Sequence, residues 1–237
     1  MYQTYVFDLY GTLIDIETDE EAPEVWEKLA LHFGYHGMTV TGAELQEKFL
    51  LERDVQLAEA AENCQFPDFV MEEVFRSLAR QWGVEPSEAW LQETVRWLRT
   101  LSMIHISLYD GVPEILQSLR EQGKKVFLLS NGQKTFIEAE LTMLDILDKF
   151  DGIAISSVAG VSKPDPLFYH YLADTYGADL SAAIMIGNDP RTDIAGANNV
   201  GMDSCYIHTV SSPSNMEVSS NVQIWDGDIR QIPGWEK

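Results

Sequence analysis

The chain has 237 residues, 45% of them hydrophobic and 11% aromatic, enough to bury a full core and to divide into one domain plus a smaller second unit. A formal net charge of -22 and a pI near 4.4 repel phosphate backbones and anionic lipid surfaces, which argues against nucleic acid and membranes as partners. Two cysteines without ligand spacing (Cys64 and Cys205), no basic-flanked apolar leader and no run of roughly 20 apolar residues lead us to expect a soluble cytoplasmic protein, a monomer or a homodimer.

In chain order, Tyr5 to Phe7 is a short apolar run that ends at Asp8 and is followed by Tyr10-Gly11-Thr12, the pattern of a buried strand feeding a loop. From Asp15 to Ile106 the apolar spacing turns helical (Trp26, Leu29 and Phe33; Val70, Val74 and Leu78; Leu91, Val95 and Leu98), and the stretch reads as entirely helical. It also carries more than half of the charge imbalance, as a solvated surface does. After Asp110-Gly111, Pro113 opens a helix with Ile115, Leu116 and Leu119 on its apolar face, and Gly123 closes it.

Strands are then expected at Val126 to Leu129, Ile153 to Ile155, Ile184 to Ile186 and Cys205 to Ile207, with a further edge strand at Val222 to Trp225. Helical patterns such as Ile137, Leu141 and Leu144 separate them. This alternation predicts a doubly wound α/β fold, a parallel sheet covered on both faces, made of residues 1–14 and 107–237, with residues 15–106 as a smaller, all-helical second unit. Ligands of such sheets bind beyond the carboxyl ends of the strands. There the sequence places Asp8, then Ser130-Asn131-Gly132, Ser162-Lys163-Pro164 and Gly187-Asn188-Asp189.

Phe7-Asp8-Leu9-Tyr10-Gly11-Thr12-Leu13, Leu129-Ser130-Asn131-Gly132, Ser162-Lys163-Pro164-Asp165-Pro166 and Ile186-Gly187-Asn188-Asp189-Pro190-Arg191-Thr192-Asp193 resemble the four motifs of the haloacid dehalogenase-like superfamily. The resemblance covers nearly the whole chain, and the helical stretch stands where that superfamily inserts a cap. It implies a hydrolase in which Asp8 attacks phosphorus or carbon to form an acyl intermediate that water cleaves. Lys163 would balance charge, Thr12 and Ser130 would hydrogen-bond the transferring group of a small anionic substrate, and backbone amides near Gly11, Asn131 and Gly132 would line its site. Asp8, Asp189 and Asp193 together call for a cation, so one Mg2+ is expected on Asp8, the Tyr10 carbonyl and Asp189, with Asn188 or Asp193 direct or through water. Asp193 could instead cap the helix through Ala197.

Two positions depart from the phosphatases of the superfamily. Tyr10 stands where they carry a second aspartate, and Asn188 where an aspartate usually follows the glycine. A phenol is a weak base at neutral pH, so good leaving groups would suffer least. The leading expectation is a Mg2+-dependent phosphatase of a small phosphorylated metabolite. The Asp-x-Tyr-Gly-Thr arrangement is also similar to 2-haloacid dehalogenases, with Arg53 as a candidate cap arginine unless it is a surface ion-pair partner. A protein that holds a phosphorylated ligand without turning it over is the third reading. Trp26, Trp82, Trp90 and Trp97 read as cap packing, the five histidines show no ligand spacing, and Asp15 reads as a hinge surface.

Overall fold

The computed structural model describes residues 2–234. Its strands are β1 (Thr4–Phe7), β2 (Ile14–Thr18), β3 (Met103–Leu108), β4 (Lys125–Ser130), β5 (Gly152–Ile155), β6 (Ala183–Gly187), β7 (Asp203–Ile207) and β8 (Val222–Ile224). Six of them form one parallel sheet in the order β5-β4-β1-β6-β7-β8. β1 is central because every residue of it is buried on both faces. Tyr5 and Phe7 face one layer and Val6 the other, as the two-residue period of a strand requires.

The first layer packs α5 (Val112–Glu121) and α6 (Lys134–Met143) on the sheet through Ile115, Leu116, Leu119, Ile137 and Leu141. The second packs α8 (Pro166–Tyr176) and α9 (Ala195–Asn199) through Phe168, Leu172 and Ala197, with the short α7 (Ser156–Ala159) at the rim. The register aligns the strand ends: Phe7 pairs with Leu128 on one side and with Ile186 on the other. The Asp8 N–H still donates to the Ile186 carbonyl at 2.9 Å, so the nucleophile candidate is the first residue past the ladder.

The cap comprises α1 (Pro23–Tyr35), α2 (Gly42–Ala60), α3 (Met71–Gln81) and α4 (Glu88–Ser102) around a core of its own, including Trp26, Leu29, Phe33, Phe75, Leu78 and Leu91. Thr41 and Ser87 start α2 and α4 by accepting the backbone N–H three residues on. Phe136 of α6 is buried in this cap cluster, so the two units share a side chain.

The stretch 15–106 is not helical throughout. Its two ends are β2 and β3, which pair antiparallel with Ile14 opposite Leu108 and Ile16 opposite Ile106. The two passages of the chain between sheet and cap run side by side, and pairing satisfies their backbone groups. Alternating Ile14, Ile16, Ile104 and Ile106 suit a ribbon better than a helix. The sheet strands expected from the sequence are all present, and β8 ends at Ile224. No helix among the described residues is long and apolar enough to cross a membrane.

Candidate active site

Four loops meet at the carboxyl edge of the sheet. After β1 the chain folds into a tight turn in which the N–H groups of Thr12, Leu13 and Ile14 all point to the Leu9 carbonyl, at 3.2, 2.9 and 3.0 Å. Gly11 sits in this turn at φ 81, and a Cβ there would lie 2.4 Å from Nδ2 of Asn188, so both conformation and space demand glycine. The turn returns the buried Thr12 hydroxyl beneath Asp8, where it donates to Oδ2 at 3.1 Å and lies 3.3 Å from Oδ1 of Asn188.

Lys163 is the centre of charge. Its Nζ donates to Asp8 Oδ1 at 2.6 Å and to Asp193 Oδ1 at 2.7 Å, and all three side chains are buried. Burial pushes the ammonium down, but attraction by Asp193 and Asp8 outweighs it, so Lys163 keeps its proton. Burial pushes the Asp193 carboxyl up further than Lys163 pulls it down, and Asp8 adds to the rise. Gly187 makes this approach possible: a Cβ there would lie 2.3 Å from Asp193.

Asn131 holds Lys163 from behind. Its side chain accepts the Lys163 N–H at 2.8 Å and donates to the Lys163 carbonyl at 3.1 Å. Ser130, wholly buried at the end of β4, has an Oγ with no hydrogen-bond partner among the described residues. A cavity of about 320 Å³ opens over Asp8 and Lys163, lined also by Tyr10, Asn131, Asn188, Asp189 and Asp193 among others, while the wholly buried Thr12 and Ser130 do not line it. It adjoins a second of about 480 Å³ beneath the cap, and Tyr10, Ile16 and Asn131 line both.

Several groups stand differently from the sequence expectation. Asp193 is not a helix cap: its Oδ2 accepts the Asp189 N–H at 2.9 Å while Oδ1 serves Lys163. Asp189 is the cap of the turn Pro190–Ile194 and accepts the Arg191 N–H at 2.8 Å. Its carboxylate also pairs with the Arg191 guanidinium at 2.8 Å, and although burial pushes Asp189 up, Arg191 outweighs that and holds it below the ordinary value. The Gly132 N–H is already engaged, donating to Ser156 Oγ at 2.8 Å. Arg53 pairs with Asp54 on the surface, away from both cavities.

The arginine that does reach the crevice is Arg99 of α4, which the sequence reading missed. Its guanidinium lies 5.3 Å from the centre of the Tyr10 ring and 4.7 Å from that of Phe136, and it pairs with Glu140 at 2.6 Å and Glu20 at 3.2 Å. Tyr10 donates to the other Glu140 oxygen at 2.6 Å. Burial above all, with Glu140 beside it, drives the Tyr10 phenol well above its ordinary pKa. Glu140 is a buried acid on a largely apolar helix face, the one sequence signal that could have marked this cluster.

Any cation at this site must draw on oxygens of mixed kind, because among the described residues no three His, Cys, Asp or Glu side chains gather closely enough to hold a metal ion. Asp8, Asn188 and Asp189 line one cavity, and carboxylate, amide and main-chain oxygens are hard donors that suit a hydrated Mg2+. The set fits such an ion with fewer fixed negative charges than three carboxylates would give.

A family model described as a haloacid dehalogenase-like hydrolase matches residues 2–201. The phosphoserine phosphatase of Thermus thermophilus is 26% identical over 167 residues, 68% of this chain but only 63% of that protein, so the chain spans less than two thirds of its length. The (S)-2-haloacid dehalogenase of Pseudomonas is 25% identical over 235 residues, 97% of this chain and 88% of that one. The solved structure of YfnB from Bacillus subtilis, bound to magnesium, covers 94% of both chains at TM-score 0.54 and 21% identity. The family match spans all four motif loops and the cap between them, and the chain therefore belongs to the haloacid dehalogenase-like hydrolases.

Proposed function

We propose that this hydrolase is a Mg2+-dependent phosphatase of a small phosphorylated metabolite, working through a phosphoryl-aspartate at Asp8. The observation that carries the reading is the Lys163 ammonium held between Asp8 and Asp193 on the floor of a small, oxygen-lined cavity. An ionised carboxylate needs no base to attack, only a setting that tolerates a second anion. In the first step an Asp8 oxygen bonds to phosphorus and the ester P–O bond breaks, the leaving oxygen taking a proton from water. In the second, water bonds to phosphorus, the acyl-phosphate bond breaks, Asp8 is regained and inorganic phosphate leaves.

Thr12 steadies Asp8, Asn131 fixes the Lys163 peptide, and the unpartnered Ser130 hydroxyl, which lines neither cavity, would reach a phosphoryl oxygen only after a shift that opens it toward Asp8. Asp8, the Tyr10 carbonyl, Asn188 and Asp189 would hold the ion, Asp189 by turning from Arg191; Asp193 would act through Lys163 and the Asp189 N–H. Bound there, Mg2+ would offset the charge of the phosphoryl group. The magnesium in the similarly folded YfnB supports this choice of metal. Tyr10 keeps its proton at neutral pH and cannot activate water as a carboxylate would, so the favoured substrates are those with acidic leaving groups, such as acyl or aryl phosphates.

A second reading, dehalogenation of a short 2-haloacid, is favoured by Tyr10 and by the nearly full-length similarity to the Pseudomonas enzyme. A halide leaves without a proton. Against it, Arg99, the arginine that lines these cavities among the described residues, is already engaged by Glu140 and Glu20 and not free for a halide. Phosphate and halide release measured in parallel, with Mg2+ and with EDTA, tests the choice: phosphate release that EDTA abolishes supports the phosphatase, and halide release that survives EDTA overturns it.

A further inference from the structure

The loop that follows β4 is tied to the cap from both sides. Gln133, buried, donates from Nε2 to the Phe69 carbonyl at 3.0 Å and accepts the Met71 N–H on Oε1 at 2.9 Å. Gly132 donates its N–H to Ser156 Oγ, and that hydroxyl in turn donates to Asp68. Asp68, Phe69 and Met71 belong to one segment of the cap, the link from α2 into α3. Two residues before Gln133 on the same loop, Asn131 grips the Lys163 peptide by both its N–H and its carbonyl, and Lys163 reaches Asp8.

We propose that Gln133 is a positioning residue that couples the seating of the cap segment Asp68–Met71 to the placement of the Lys163 ammonium beside Asp8. The inference rests on Asp8 and Lys163 being the reacting pair, not on the phosphate reading. A primary amide offers one acceptor and a donor in a single plane, which matches a carbonyl and an N–H two residues apart on the cap backbone. Lifting the cap breaks both bonds of that amide at once and removes the direct tie between the loop and residues 69–71. The loop is also pinned to α7, where the Ser157 N–H donates to the Gly132 carbonyl at 3.3 Å and the Lys134 N–H to Ser157 Oγ at 3.1 Å, and to Lys163 through Asn131: displacing residues 131–133 moves the side chain that clasps the Lys163 peptide. A misplacement of about 1 Å at a reacting group can cost on the order of a hundredfold in rate.

Thr135 supplies the control. Its hydroxyl bonds Glu72 of α3, so it too staples core to cap, but among the described residues its side chain makes no hydrogen bond to Asn131 or Lys163. The test uses the full chain and the variants Gln133→Met, Gln133→Glu and Thr135→Val, read by turnover and by amide hydrogen exchange. Gln133→Met is expected to lower kcat by about tenfold or more with KM changed less than about threefold, and to speed exchange of both the Met71 and Lys163 amides. Gln133→Glu keeps the acceptor for Met71 and should recover part of each effect, and remains informative if Gln133→Met fails to fold. Thr135→Val should leave kcat within about twofold and Lys163 exchange unchanged. Equal kcat losses from Thr135→Val, or a Lys163 amide as protected in both Gln133 variants as in the parent, would overturn the proposal. The exchange arm decides even if no phosphate ester is turned over, so failure of the phosphatase reading is told apart from failure of this one.

Discussion

The Tyr10 hydroxyl donates to Glu140 of α6 at 2.6 Å, which ties up the phenol of the first motif, and burial above all holds it protonated. Where a carboxylate would serve as acid and base, this chain has a group that can do neither well near pH 7. Hydrolysis rates should therefore depend steeply on the leaving group. Aryl and acyl phosphates should be cleaved at least about tenfold faster than alkyl phosphates of similar size, a general acid being worth roughly 10² to 10⁴ in rate. A series of phosphate esters of graded leaving-group pKa measures this, and a flat series contradicts it.

Glu140 is buried and answers Arg99 and Tyr10 together. Glu140→Ala leaves a guanidinium between two rings with only the half-exposed Glu20 as partner, and should cost about 3 kcal/mol or more in urea denaturation. Replacing both partners, Glu140→Leu with Arg99→Leu, should recover much of that loss, because the desolvated charge is then gone as well. A double variant no better than Glu140→Ala would contradict the account of this pair.

Alkaline pH should weaken the fold. Burial pushes the Cys205 thiol up from 9.0 to about 12, and the Tyr2 phenol is pushed up from 10.0 to about 12, by burial first and Asp203 next. Above pH 9 the unfolded chain releases these protons while the folded chain keeps them, so the unfolded state binds fewer protons and stability falls as pH rises toward 12. The urea midpoint should drop steadily over that range. A thiol reagent at pH 8 should label the half-buried Cys64 and leave Cys205 untouched until unfolding.

Asn188 brings a neutral oxygen to the proposed ion site. Asn188→Asp adds a charge beside Asp8 and should tighten Mg2+ binding by about tenfold in titration calorimetry, in keeping with opposite charges a few Å apart in a partly buried site. Unchanged or weaker binding would remove Asn188 from the proposed ligands.

The sheet was legible because its strands are short apolar runs each ending in a polar cluster, and burial on both faces leaves few alternatives at Tyr5 to Phe7 or Ile184 to Ile186. The motif loops were legible for the same reason, since charged groups at buried strand ends need a purpose. The β2–β3 ribbon was not, because its pairing joins residues more than eighty positions apart and each strand alone is five or six residues beside long helices. Arg99, Glu140 and Gln133 were hidden too: their partners lie across the gap between cap and core, at separations that periodicity does not report.

A phosphatase of this kind must form a covalent bond to Asp8, and the direct measurement is the mass of the peptide containing it after rapid acid quench during turnover of an aryl phosphate. The prediction is a transient gain of one phosphoryl group on that peptide, absent in Asp8→Asn protein. Steady phosphate release with no modified peptide, or release undiminished in Asp8→Asn, would contradict it.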